Sequence, residues 1–98
     1  MTELNANDRA RVRAHVIDEG FSKAISAHLH GAPRAELREA VATLVSEAKS
    51  RMTPPQDVIA ILKAHVQREA QPHVGAEEYP ELVQLVVGWG IEEYYRER

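Results

Sequence analysis

The final segment, Tyr79 to Arg98, reads as a helix whose apolar residues cover far more of its circumference than a surface helix requires. At about 100° per residue, Tyr79, Leu82, Val83, Leu85, Val86, Val87, Trp89, Ile91 and Tyr94 spread over roughly 240°. Packing on one neighbour uses about half of that arc. Such a helix is either the central element of a small bundle or presents part of its face to a second chain. A chain of 98 residues is close to the lower size limit for a self-sufficient core, so self-association is a common way to stabilise a bundle of this size.

The rest of the chain divides at its helix breakers. Asn5 or Asn7 suits an N-cap, and the first helix should run through Arg9 to Val16. Its apolar phase then changes: Val12 and Val16 lie on one side, whereas Ile17, Phe21, Ala24, Ile25 and Leu29 fall nearly opposite. A break near Gly20, giving pieces over about 8–18 and 21–30, is the simplest resolution; a continuous helix buried on two sides is the other. Gly31-Ala32-Pro33 stops that element and starts the next.

Helix two is expected from about Pro33 to Arg51, with Leu37, Ala40, Val41, Leu44, Val45, Ala48 and Met52 on one stripe. Thr53-Pro54-Pro55-Gln56 reads as an N-cap followed by first-turn prolines. Helix three then covers about 54–70 and buries Val58, Ile59, Ile61, Leu62 and Val66. Gln71 to Ala76, with Pro72 and Gly75, is the longest irregular stretch, and helix four starts at Glu78 or Tyr79. No period-two alternation predicts a strand. The expected fold is an all-α, single-domain bundle of four to five helices over residues 1–98. Its short connections favour up-and-down antiparallel neighbours.

Composition removes several chemistries. The chain has no cysteine, which excludes disulfides, Cys-ligated zinc and thiol catalysis and agrees with a reducing compartment. Residues 1–51 carry eight Lys/Arg against seven Asp/Glu, and residues 52–98 carry four against eight, so the C-terminal half is the acidic one. Nucleic-acid binding needs basic surface. Arg9, Arg11 and Arg13 are the only basic cluster, and Arg11 points away from the other two on a helix. No apolar run approaches the length of a membrane span, and Met1 to Asn5 has neither a basic start nor an apolar stretch. The expected location is the cytoplasm, with no membrane or nucleic-acid partner and no cofactor.

The histidines are where chemistry would be sought. His65 lies within the apolar stripe of helix three, which suits a hydrogen-bonded core residue better than a base. His15 with Glu19, and His65 with Glu69, could each place a nitrogen and a carboxylate on one face; four convergent metal ligands are not visible. His28-Leu29-His30-Gly31-Ala32-Pro33 resembles, in its His-x-x-x-x-Pro spacing, the phosphoacceptor helix of sensor histidine kinases. The match covers two residues of about six, with Leu29 where that family has an acidic residue. The resemblance implies an alternative function, a phosphorelay-type domain using His28 or His65 as acceptor.

Val87-Gly88-Trp89-Gly90-Ile91 points elsewhere. Each glycine inside a helix costs about 1 kcal/mol relative to alanine, so a packing reason is expected. Gly88 falls on the polar strip, where it would let another helix approach closely, while Gly90 would make room within the core. Trp89, Tyr94 and Tyr95 supply large contact area of the kind that anchors interfaces. The leading expectation is a non-catalytic interaction module whose partner face is Leu82, Val86, Gly88, Trp89, Tyr94 and Tyr95. The partner is another protein or a second copy, with a homodimer expected.

Overall fold

The computed structural model describes residues 6–70 and 78–96, with side-chain surroundings from His15 onward. It contains four helices among these residues and no strand: α1 (Ala6–Leu29), α2 (Arg34–Ser50), α3 (Pro55–Ala70) and α4 (Glu78–Tyr94). The expected N-cap at Asn5, the irregular stretch Gln71–Ala76 and the side chains of Arg9, Arg11, Val12 and Arg13 lie outside what is described. Asn7 falls inside α1, so it is not the cap.

The expected break near Gly20 does not occur, and α1 runs unbroken for 24 residues. Gly20 faces solvent with nothing within 4 Å of where a Cβ would stand, so the backbone needs no interruption there. The two apolar phases are reconciled differently. Phe21 and Ile25 are fully buried and Ile17, Ala24 and Leu29 pack against the core, while Val16 on the other side is left 61% exposed.

Both the α1 and α2 C-termini close with the same backbone device. At the end of α1, Ala32 N–H donates to the Ala27 carbonyl (2.9 Å) and Gly31 N–H to His28 (3.1 Å), with Gly31 at φ +100°. At the end of α2, Thr53 N–H donates to Ala48 (3.0 Å) and Met52 N–H to Lys49 (2.9 Å), with Met52 at φ 62°. These are paired 6→1 and 5→2 bonds around a left-handed residue, a position that favours glycine. Met52, expected on the buried stripe of α2, is therefore turned out of it and is 88% exposed.

The prolines sit one position earlier than expected. The Pro33 and Pro54 carbonyls accept the first N–H bonds of α2 and α3, from Glu36 and from Asp57 and Val58, each at 3.1 Å. Pro54 rather than Thr53 is thus the N-cap of α3, and Pro55 fills the first helical position, where no N–H is needed.

One hydrophobic cluster joins the four helices: Phe21 and Ile25; Leu37, Val41, Leu44, Val45 and Ala48; Val58, Leu62, Val66 and Ala70; Leu82 and Val86. Ile59 and Ile61, expected in the core, are half-buried, Ile61 packing against the cluster. The pairing of helices places α1 against α2 and α3, and α4 against α2 and α3; among the described residues α2 and α3 barely touch, and the α1 and α4 backbones do not come together. The short connection predicts that α2 and α3 are close neighbours, and of the pairs in contact they touch least. The turn through Met52 and the two prolines sends α3 diagonally across, and α1 and α4 occupy the flanks. α4 is consequently a corner helix with two neighbours, not the centre of the bundle.

Candidate interaction surface

The first turn of α4 holds Glu78 and Glu81, whose charges suit the positive end of a helix, and Pro80, which costs no hydrogen bond there. Beyond it, Leu82, Val86, Gly90 and Glu93 form the buried stripe, spaced four, four and three residues apart. Gly90 has a specific reason to be glycine. A Cβ there would collide with Leu62 Cδ1 on α3 and lie 3.8 Å from Val45 Cγ2 on α2. The helix backbone therefore rests directly on the side chains of both neighbours.

The residues expected at a partner face separate into three groups. Leu82 and Val86 are buried in the chain's own core, which corrects their assignment as partner contacts: the phase that makes them face one way also makes them face α2 and α3. Trp89 and Tyr94 are half-buried flanks packed on that core. Gly88 and Tyr95 are exposed, Tyr95 by 65%, and Ile91 beside them is 43% exposed. Gly88, unlike Gly90, has nothing within 4 Å of its Cβ direction.

On one flank Trp89 lines a shallow groove with Ala35, Arg38, Glu39 and Ala42 of α2, edged by Arg38 donating to Glu92 at 3.3 Å. On the other end the Tyr94 hydroxyl donates to the Thr53 carbonyl (2.8 Å), tying the end of α4 to the α2–α3 turn. Lys49 Nζ stands 5.6 Å from the centre of the Tyr94 ring and donates to the Arg96 carbonyl at 3.4 Å, and Tyr95 meets Tyr94 edge-on at 5.2 Å. Tyr94, expected at the partner face, is thus a structural clasp within the chain. Its acceptor belongs to a turn carbonyl that no helical pattern reveals. Glu93, by contrast, was legible: its phase on the helix coincides with Leu82 and Val86. Arg96 Nη1 lies 3.4 Å from its Oε2.

The histidines occupy unlike environments. His65, 8% exposed, donates from Nδ1 to the Ile61 carbonyl (2.9 Å), lies against the Phe21 ring (5.3 Å) and holds Nε2 3.8 Å from Asp18 Oδ1. Glu69, one turn on, pairs with Arg68 instead, which also reaches Ser22 Oγ at 2.9 Å. His15 is exposed and does meet Glu19, at 3.0 Å. His28 sits in the last turn of α1, half-buried, with its Nδ1 enclosed and unbonded. It lines a cavity of about 570 Å³ with Leu29, His30, Arg34 and the first turns of α4. Among the described residues no three His, Asp or Glu side chains converge as metal ligands. No described helix is long and apolar enough to cross a membrane. No protein-family model, curated protein or solved structure matches this chain.

Proposed function

We propose that this protein is a non-catalytic helical interaction module, a small adaptor or regulator of the cytoplasm that binds a second copy of itself or another protein through α4. In this reading the chain folds up-and-down as one domain whose α2–α3 connection crosses the bundle, leaving α4 at a corner. The observation that carries it is the mismatch on α4. α2 and α3 together account for most of its apolar arc of roughly 240°, yet Ile91 and Tyr95 remain at the surface beside a bare Gly88. Aromatic and aliphatic side chains on an open helix face are the usual anchors of helix-on-helix recognition. The acidic edge of Glu78, Glu81 and Glu92 would orient a partner more than it would hold one.

The test is mass, measured for the purified chain by light scattering over a concentration series and for the native chain by size exclusion of cell extract. Both are repeated with Ile91→Lys and Tyr95→Lys combined. Wild type is expected to form a complex in at least one setting, and the variant to keep its helical content while losing it. A free monomer in both settings, unchanged by the substitutions, refutes the proposal.

A further inference from the structure

The outward face of α4 is complementary to itself. Its exposed residues Glu81, Gln84, Gly88, Ile91 and Tyr95 are spaced three, four, three and four apart, the repeat of a helix–helix seam. Tyr95 continues the helix, since its N–H donates to the Ile91 carbonyl at 3.1 Å. The seam is nearly symmetric in height about Gly88: Glu81 lies seven residues before it and Tyr95 seven after, each about 10.5 Å along the axis. Gln84 lies four before and Glu92 four after, about 6 Å.

From this we infer that two copies of the chain pair through α4 in antiparallel fashion, with a two-fold axis at Gly88. The inference rests on the interaction reading above and names its partner. In that arrangement the Tyr95 hydroxyl of one copy stands level with the Glu81 carboxylate of the other and donates to it. An acceptor in the first half of the seam therefore meets a donor in the second half, and a two-fold supplies that pair twice. The antiparallel sense also sets the acidic first turn of each helix beside the other's C-terminal end, where Arg96 lies.

Gly88 gains a reason it lacks in the monomer. Glycine inside an exposed helix costs about 1 kcal/mol against alanine, and among the described residues no atom lies within 4 Å of its Cβ direction. At the two-fold it lets the backbones meet at the point of closest approach, and Ile91 packs over Gln84 of the other copy on either side. A single helix seam is small, so the association is expected to be weak and concentration-dependent.

Because the chain has no cysteine, one introduced thiol reports the geometry without interference. Helix axes about 8–10 Å apart, with Cα atoms about 2.3 Å off each axis, bring two Gly88 Cα atoms within reach of a disulfide. Two Gln84 positions would be about 12 Å apart and out of reach. Gly88→Cys is therefore expected to form a covalent dimer under mild oxidation at high protein concentration. Gln84→Cys, equally exposed, should cross-link only slowly, and circular dichroism confirms that both fold. Mixing Glu81→Cys with Tyr95→Cys should give the heterodimer in preference to either homodimer. A purified chain that stays monomeric throughout the concentration series overturns the inference. If the extract still holds a complex lost on substituting Ile91 and Tyr95, the interaction reading survives with a different partner. A dimer in which Gly88→Cys cross-links no faster than Gln84→Cys overturns the two-fold at Gly88.

Discussion

Gly88→Ala and Gly90→Ala, two residues apart on the same helix, are expected to change stability in opposite directions. Both substitutions gain the same intrinsic term, about 1 kcal/mol of helix propensity. At Gly88 nothing opposes it, because the Cβ enters open space, so the monomer should be stabilised by about 1 kcal/mol. At Gly90 the new methyl meets Leu62 Cδ1, the tip of a fully buried side chain that must shift within the core to admit it. Overpacking of that kind costs about 1–3 kcal/mol, which cancels the propensity gain and leaves a net loss of about 0–2 kcal/mol. The two variants should thus differ by about 1–3 kcal/mol, or roughly 5–15 °C in Tm for a domain of this size. Urea unfolding followed by far-UV circular dichroism measures it, with unchanged m-values as the check that only stability moved. The comparison belongs at low protein concentration, since a dimer would make apparent stability depend on mass action. If Gly90→Ala is as stabilising as Gly88→Ala, the close approach of α4 to Leu62 is refuted.

Met52→Gly should stabilise the protein by about 0.5–1 kcal/mol, because it relieves a left-handed conformation that costs an L residue about 1–2 kcal/mol and removes only an exposed side chain; urea unfolding showing a loss would refute the α2 terminus described here. Phe21→Ala should cost about 3–5 kcal/mol, since it empties a fully buried site that also supports His65, and thermal unfolding should reveal it as a large drop in Tm. Tyr94→Phe should cost about 1 kcal/mol through loss of the bond to the Thr53 carbonyl, with hydrogen exchange quickening at the end of α4 before elsewhere; unchanged exchange there would mean that the clasp does not hold.

Much of the fold could be read from the residues. Gly31 and the paired prolines are local signals, acting through backbone φ and missing N–H groups, and they placed the ends of α2 and α3 to within a residue. The apolar stripe of α2 needed only a helical period, and five of its seven expected members are buried. Gly20 misled because a glycine in a helix is read as a weakness, whereas on a solvent-facing turn it is merely a modest cost that the burial of Phe21 and Ile25 beside it overrides. Met52 misled for the converse reason. A helical stripe extrapolates one position too far when the chain turns left-handed at a residue that is not glycine.

The candidate surface was legible only in outline. A wide apolar arc on α4, and the presence of two glycines on that helix, are properties of residue order. Which of its residues face a partner is not, because the direction of burial depends on which helices lie beside it. Helical phase placed Leu82, Val86 and Tyr95 at fixed angles, but only the corner position of α4 between α2 and α3 made the first two core and left the third open. The same holds for Gly88 and Gly90. Their sequence contexts are alike, and the difference between an empty space and the Leu62 side chain is decided by packing across the chain, over contacts between residues far apart in sequence.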